Sequence, residues 1–205
     1  MGKVSGKSKR RNFSSFDLKA AFKELAITKM QPWQLEISPL IPSDFFNQHL
    51  HRLHKFDLRS NERGKELLID AFCQEAIQHF ERLKIWKGAA IASDTLSGEV
   101  DYLVTEDRDY LEAPFLCVVE AKKDDFEQGL AQCLVEMKVC QWSHQQMGKA
   151  IAIQGIVSNG TTWEFYQLSH HGQVYESVPC SINDPALVLG ALHYIFTLCE
   201  KNTLV

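Results

Sequence analysis

The stretch Phe115-Leu-Cys-Val-Val-Glu120-Ala-Lys122 decides the fold, because it has the pattern of a buried strand that ends in an acid and an amine. The apolar run predicts a strand from Phe115 to Ala121 in the interior of a sheet. Side chains alternate along a strand, so Glu120 and Lys122 are expected on one face and Ala121 on the other. A carboxylate and an ammonium group are costly to bury. This cost indicates that the pair has a function.

A second carboxylate is supplied by the segment Gly98-Glu-Val-Asp101-Tyr-Leu. Residues 99–105 are predicted to form a strand of their own, which presents Asp101. Two carboxylates and a lysine are the groups needed to hold a hard divalent cation and to activate a water against a phosphodiester. The alternative is a surface salt bridge, because acid-x-Lys patterns are common on exposed strands and helices.

The elements predicted around these residues follow the order helix, three strands, helix, strand, which indicates an α/β fold. Asn61 is expected to cap the first of these helices. The predicted elements are a helix over 62–83, strands over 84–92, 99–105 and 115–121, a helix from 124 to about 146, strands over 151–158 and 161–168, and a closing helix over 184–201.

This arrangement resembles the PD-(D/E)XK nuclease superfamily, the fold of many restriction endonucleases, over roughly residues 62–168. The resemblance rests on Asp101, on Glu120-Ala-Lys122 and on the element order, and Val100 stands where a proline often precedes the aspartate. The segment IAIQGIVSNGTTWEFYQL, residues 151–168, is similar to the N-terminal nuclease domains of type I restriction motor subunits. The helix bearing NERGKELLI is similar to one in small stand-alone nuclease-like proteins of bacteria.

The resemblance implies a restriction-endonuclease-like core, in which helices flank a mixed central sheet. It also implies an Mg²⁺-dependent endonuclease that hydrolyses DNA, with Mn²⁺ able to substitute. In such a site Asp101, Glu120 and the main-chain carbonyl of Ala121 would ligate the metal. Lys122 would orient the attacking water or stabilise the phosphate.

Two helices are expected to add residues to this site. A glutamate of the preceding helix often reaches the metal in this superfamily, and we choose Glu66, with Glu62 as the alternative four residues earlier on the same face. A glutamine on the following helix is a frequent accessory near the lysine, and among Gln128, Gln132 and Glu136 we choose Gln132. Plain solvated helix faces would explain both patterns equally well.

The composition predicts one soluble domain of 205 residues with a sizeable core. We expect a disordered basic tail over residues 1–15, a helical N-terminal extension over 16–60 and the nuclease-like domain over 61–205. No apolar run approaches the ~20 residues of a membrane span, and the N-terminus has no apolar signal segment. Six scattered cysteines without a CxxC pair indicate reduced thiols and a cytoplasmic protein.

The charge distribution leaves the choice of partner open. The net charge is −4, yet residues 1–12 carry five lysines and arginines and no acid, so the remainder is acidic. An acidic body disfavours non-specific DNA binding, which keeps a nuclease-fold binding or regulatory module with weak or no catalysis as the alternative. Hydrolysis of RNA or nucleotides is a third possibility. Cleavage of both DNA strands and an apolar C-terminal helix favour a homodimer.

Overall fold

The computed structural model describes residues 10–122 and 124–204 of the chain. They form an α/β fold in which five helices flank a mixed sheet of nine strands. The helices are α1 (Leu18–Glu24), α2 (Asp44–Leu53), α3 (Glu62–Ile77), α4 (Phe126–Gln146) and α5 (Pro185–Asn202). The strands are β1 (Arg11–Asn12), β2 (Gln31–Trp33), β3 (Leu83–Ala92), β4 (Leu96–Glu106), β5 (Phe115–Ala121), β6 (Ile153–Ser158), β7 (Thr162–Leu168), β8 (Val174–Ser177) and β9 (Cys180–Ser181).

The sheet runs in the order β1-β4-β5-β6-β7-β8-β2, with β3 paired to β4 and β9 paired to β7. Strands β5 and β6 are parallel neighbours at its centre, and β3, β4 and β5 form an antiparallel meander. Strand β1 pairs with β4 at Leu96 and Ser97, whereas β5 pairs with it from Tyr102 to Thr105. Because β3 occupies the other edge of β4, β1 and β5 lie on the same edge and leave residues 98–101 between them.

Two hydrophobic cores cover the two faces of this sheet. Helices α2, α3 and α5 pack on one face, and α1 and α4 pack on the other. Trp163 is fully buried in the first core. Burial on both faces explains why β5 and β6 read as nearly continuous apolar runs.

The main elements agree with the sequence-based predictions, and the differences lie at their ends. Strand β5 is confirmed at both ends, and Asn61 caps α3 through a hydrogen bond from the Gly64 amide. Helix α3 ends at Ile77 rather than at residue 83, because Phe80 turns back into the core and β3 begins at Leu83. The two- to four-residue strands β1, β2, β8 and β9 were not predicted, since such lengths hold too little alternation to detect.

The prediction of a disordered tail is wrong for residues 10–15, and residues 1–9 lie outside the described part of the chain. Arg11 and Asn12 form β1, and Phe13 is only 1% exposed. Gly98 of β4 makes room for the Phe13 ring, since a Cβ at this position would lie 2.4 Å from Phe13 Cδ2. The segment 16–60 likewise contributes strand β2 as well as two helices, and its apolar residues enter both cores.

The apolar helix α5, which favoured a homodimer, is largely used within the chain. Val188, Leu189, Leu192, Ile195 and Phe196 are all buried against the sheet. Intramolecular packing therefore accounts for most of its apolar surface, and the homodimer stays a prediction. No helix among the described residues has the length and apolar character needed to cross a membrane.

Candidate functional site

The carboxyl end of β5 holds a buried ion pair. Glu120 is fully buried, and the Lys122 ammonium lies 2.7 Å from Glu120 Oε1. Both side chains face α4, as the alternation predicted, because Val118 two residues earlier belongs to the core on that face. The Lys122 side chain is 16% exposed, so the amine is close enough to the surface to meet a ligand.

Asp101 lies where β4 and β5 separate. The ladder between these strands ends at the pair Tyr102–Val119, and the Asp101 carboxylate then accepts a hydrogen bond of 2.7 Å from the Ala121 main-chain N–H. In a strand the N–H and C=O of one residue point to the same edge, so the Ala121 carbonyl is also directed toward β4. A side chain thus replaces a ladder bond beside Glu120.

The face assignment of β4 also changes at Asp101. Tyr102 belongs to the core under α3, whereas Val100, which alternation would place on the same face, belongs to the core under α4. Gly88 on β3 has a positive φ of 62° close to this point, a conformation that glycine adopts without the usual steric cost. The change of face therefore falls where β3 carries a glycine in a left-handed conformation, between the pairs Lys87–Tyr102 and Ala89–Val100.

Burial and like charges hold the carboxyls of the site toward their neutral forms. Desolvation raises the pKa of Asp101, and the Ala121 amide and the Lys122 charge oppose this shift. Desolvation and then the Asp101 charge raise the pKa of Glu120 to about 8, although Lys122 acts in the other direction. For Lys122 itself burial favours the neutral amine, but the charges of Glu120, Glu62 and Asp101 outweigh it and raise its pKa.

Glu136 on α4 is a third carboxyl of this cluster, and it was not chosen from the sequence. It is fully buried and interacts with Glu120, and its pKa is raised well above the usual range by desolvation and by the charges of Glu120 and Asp101. The chosen Gln132 lies one turn earlier and favours the charged form of Glu136. The available signal was the run Leu134-Val-Glu-Met137, in which a single acid interrupts an apolar stretch.

The two glutamates of α3 have different neighbours. Glu62 Oε1 lies 3.9 Å from the Lys122 ammonium, whereas Glu66 Oε2 lies 3.3 Å from the ammonium of Lys87 on β3. Lys87 also contacts Asp70 at 3.0 Å. The structure therefore brings Glu62, the alternative of the sequence analysis, to Lys122, and places Glu66 in a neighbouring ion-pair network.

The donor atoms of the site suit a hard cation, although they do not form a preassembled cage. Within residues 10–122 and 124–204, no three His, Cys, Asp or Glu side chains are arranged as a ready metal cluster. The same residues place no well-aligned hydrogen-bond donor at Glu120 Oε2 or at either carboxyl oxygen of Glu136, although Gln132 lies close enough to influence the ionisation of Glu136. Buried carboxyl oxygens without donors are costly, and oxygen atoms of this kind are the ligands that Mg²⁺ prefers. The residues that could hold the ion are Asp101, Glu120 and the carbonyl of Ala121.

Replacing Gly129 with alanine should disturb the site through Lys122. A Cβ at Gly129 would lie 2.8 Å from both Lys122 Cγ and Val157 Cγ1, so α4 would have to move or Lys122 would have to turn away from Glu120. Overpacking of this kind costs about 1–3 kcal/mol, which urea unfolding would measure. Gln145→Ala, at an exposed position of the same helix, is the control. Wild-type stability in the Gly129 variant would contradict this packing.

No protein-family model matches the chain, and a search of the curated proteins finds no match either.

Proposed function

We propose that this chain is an Mg²⁺-dependent endonuclease with the restriction-endonuclease-like core of the PD-(D/E)XK superfamily. One observation carries the proposal: the Asp101 carboxylate and the buried Glu120–Lys122 pair meet where two neighbouring strands separate. The order α3, β3-β4-β5 meander, α4, β6 supports it, since it is the element order that the resemblance implies. Mn²⁺ is expected to substitute for Mg²⁺.

Each residue has a role that follows from its surroundings. Asp101, Glu120 and the Ala121 carbonyl would hold the ion, which would supply a water of lowered pKa and polarise the phosphodiester. The ammonium of Lys122, fixed by Glu120, would stabilise the negative charge that develops on the phosphate. Glu62 rather than Glu66 would be the helix acid, because its carboxylate faces Lys122.

Helix α4 supports this arrangement from the opposite side. Gln132 would act through Glu136, which in turn contacts Glu120. Neither side chain needs to touch the substrate, so both are positioning residues in this proposal. Their contribution is to keep the carboxylate of Glu120 in place under the strand end.

The second candidate is a nuclease-fold module that binds a partner with weak or no catalysis. Its support is the acidic composition outside the N-terminal residues, which opposes nucleic-acid binding over most of the surface. DNA, a cytoplasmic location and a homodimer remain predictions of the first candidate, with RNA as the alternative substrate.

Incubation of the purified protein with supercoiled plasmid would separate the two candidates. With Mg²⁺ or Mn²⁺ we expect the plasmid to become nicked and then linear. When a chelator is present, we expect it to stay supercoiled. Glu120→Gln, which keeps the size of the side chain and removes its charge, is the matched negative variant. Metal-dependent cleavage that this variant retains would show a contaminating nuclease, and absence of cleavage with either ion would favour the binding module.

A further inference from the structure

The connection between α2 and α3, together with the last residues of α2 and the first of α3, carries a concentration of positive charge in a protein that is acidic outside residues 1–12. We call residues 52–63 the basic loop. It contains the exposed cations Arg52, Lys55, Arg59 and Arg63 and only two acids. Among the described residues no carboxylate forms a salt bridge with any of these four cations, in contrast to Lys84, Lys87, Arg108 and Lys122. The positive charge of the basic loop is therefore free for an anionic partner.

The two acids of the basic loop have partners other than its cationic side chains. The Asp57 carboxylate accepts hydrogen bonds from the main-chain N–H groups of Arg59 and Ser60, at 3.0 and 3.2 Å. Glu62 faces Lys122 in the candidate site. The loop thus presents cations outward while its acids shape the turn and the site.

The basic loop is built against α3 in a defined position. Gly64 approaches the Asp57 carbonyl so closely that a Cβ would lie 2.3 Å from that oxygen. Leu58 packs against the core, and the Asn61 side chain caps α3 through the Gly64 amide. A surface held in this way loses little conformational entropy when it binds a ligand.

The basic loop adjoins the candidate site. It runs into the first turn of α3, where Glu62 lies 3.9 Å from the Lys122 ammonium. Gly160, in the turn after β6, packs against Leu68 and the Lys65 carbonyl of the same helix. The loop, the start of α3 and the carboxyl ends of the central strands β5 and β6 therefore meet in one region, and the carboxyl ends of parallel strands are where α/β sheets commonly bind ligands.

An exposed aromatic ring stands among the cations. Phe56 is 60% exposed and lines a cavity of about 610 Å³ together with His54, Arg59, Thr161 and Asn183. Proteins bind single-stranded nucleic acids through aromatic rings interleaved with cations, because unpaired bases stack on the rings while the cations hold the phosphates. A base in a duplex is already stacked and cannot use such a ring.

We propose that the basic loop binds a single-stranded segment of nucleic acid, with Arg52, Lys55, Arg59 and Arg63 on the phosphates and Phe56 beneath a base. This inference rests on the proposed function for its purpose, which is to lead the strand to Lys122. It names the substrate class of that site as nucleic acid with an unpaired stretch. Repulsion from the acidic remainder of the surface would confine the strand to this path.

Binding in the presence of a chelator tests the proposal without any cleavage. Fluorescence anisotropy would compare an oligothymidylate of about 15 nucleotides with a duplex of equal length. We expect Lys55→Gln/Arg59→Gln to weaken binding of the single strand about tenfold or more at low salt and to reduce the salt slope by about 1.4, for two lost phosphate contacts. Phe56→Ala should weaken binding roughly tenfold and leave the slope unchanged.

Two matched controls lie elsewhere on the surface. Lys19→Gln/Lys23→Gln removes two exposed cations from α1, and Tyr110→Ala removes an exposed ring from the β4–β5 connection. Both should bind the oligothymidylate like the wild type. The proposal is overturned if the loop variants bind like the controls, if the wild type prefers the duplex, or if no binding occurs at low salt.

The result is independent of the cleavage test. Binding that depends on the basic loop without cleavage of plasmid would leave this inference standing and reject the endonuclease. If the wild type cleaves plasmid and the loop variants cleave it equally well, the endonuclease proposal stands and this inference is rejected.

Discussion

Replacing Lys122 with methionine should reduce metal-dependent DNA cleavage by a factor on the order of 10²–10³, which is the loss seen when a group that stabilises transition-state charge is removed. Lys122 provides the ammonium in contact with Glu120, and its pKa stays raised despite burial, so it is charged at neutral pH. Methionine keeps the methylene contacts that the Lys122 stem makes with α4 at Gly129. The loss should therefore appear in kcat on plasmid DNA without loss of the fold.

The control for this variant is Lys84→Met. Lys84 is also a partly exposed lysine at an acid, Asp107, but it lies at the start of β3 away from the site. The Lys84→Met variant should cleave DNA like the wild type. Retained cleavage in the Lys122 variant, with a normal circular dichroism spectrum, would remove Lys122 from the mechanism.

Replacing Glu136 with glutamine should raise the thermal stability strongly at pH 9 and little at pH 5. Glu136 is fully buried, and its pKa is raised well above the usual range by desolvation and by the Glu120 and Asp101 charges. A raised carboxyl pKa means that the folded state holds the proton more tightly than the unfolded chain. The associated stability is complete below the unfolded pKa and is lost as the pH rises toward the folded pKa.

Glutamine stays neutral and so avoids this loss, with an expected gain of a few kcal/mol at high pH. Melting curves measured from pH 5 to 9 would show the wild type falling more steeply than the variant. Glu127→Gln, at an exposed position of the same helix, should follow the wild-type curve. Parallel curves for the wild type and the Glu136 variant would mean that Glu136 does not couple to folding.

Stabilisation of the protein by a divalent cation should increase with pH, whereas the stability of the metal-free wild type should fall. Because the pKa of Glu120 is about 8, protons compete with a metal for its carboxylate below that pH. Addition of Mg²⁺ or Mn²⁺ is therefore expected to raise the melting temperature more at pH 9 than at pH 6. The Glu120→Gln variant should lose this response. An equal response in the variant would place the ion elsewhere.

The central strand and its acid–amine pair could be predicted because they depend on local pattern. The apolar run before Glu120 defines β5, and alternation alone puts Lys122 on the same face. The choice between Glu62 and Glu66 could not be made in this way, because both lie on one face of α3. It depends on which lysine of the sheet each one meets, Lys122 or Lys87, and this is a property of the tertiary fold.

Gln132 was chosen over Glu136, and the basic loop was missed, for a similar reason. The stripe of Gln128, Gln132 and Glu136 is equally compatible with a solvated and a buried helix face, and only the packing of α4 against β5 distinguishes them. The cations before α3 are ordinary surface residues in the sequence. Their position next to the end of β5 is what suggests a binding role, and the sequence pattern alone does not reveal that position.

The separation of β4 from β5 bears on which ions the site would accept. The ladder between β4 and β5 has ended at Asp101 and Glu120, although β4 is still paired to β3 and β5 to β6, and the connection between the two strands at that point is one hydrogen bond from the Ala121 amide to the Asp101 side chain. A rotatable side chain adjusts its reach with less effort than a paired backbone does. The spacing between the two carboxylates can thus follow the ionic radius, and such a site would discriminate weakly by size, whereas a rigid cage would select one metal.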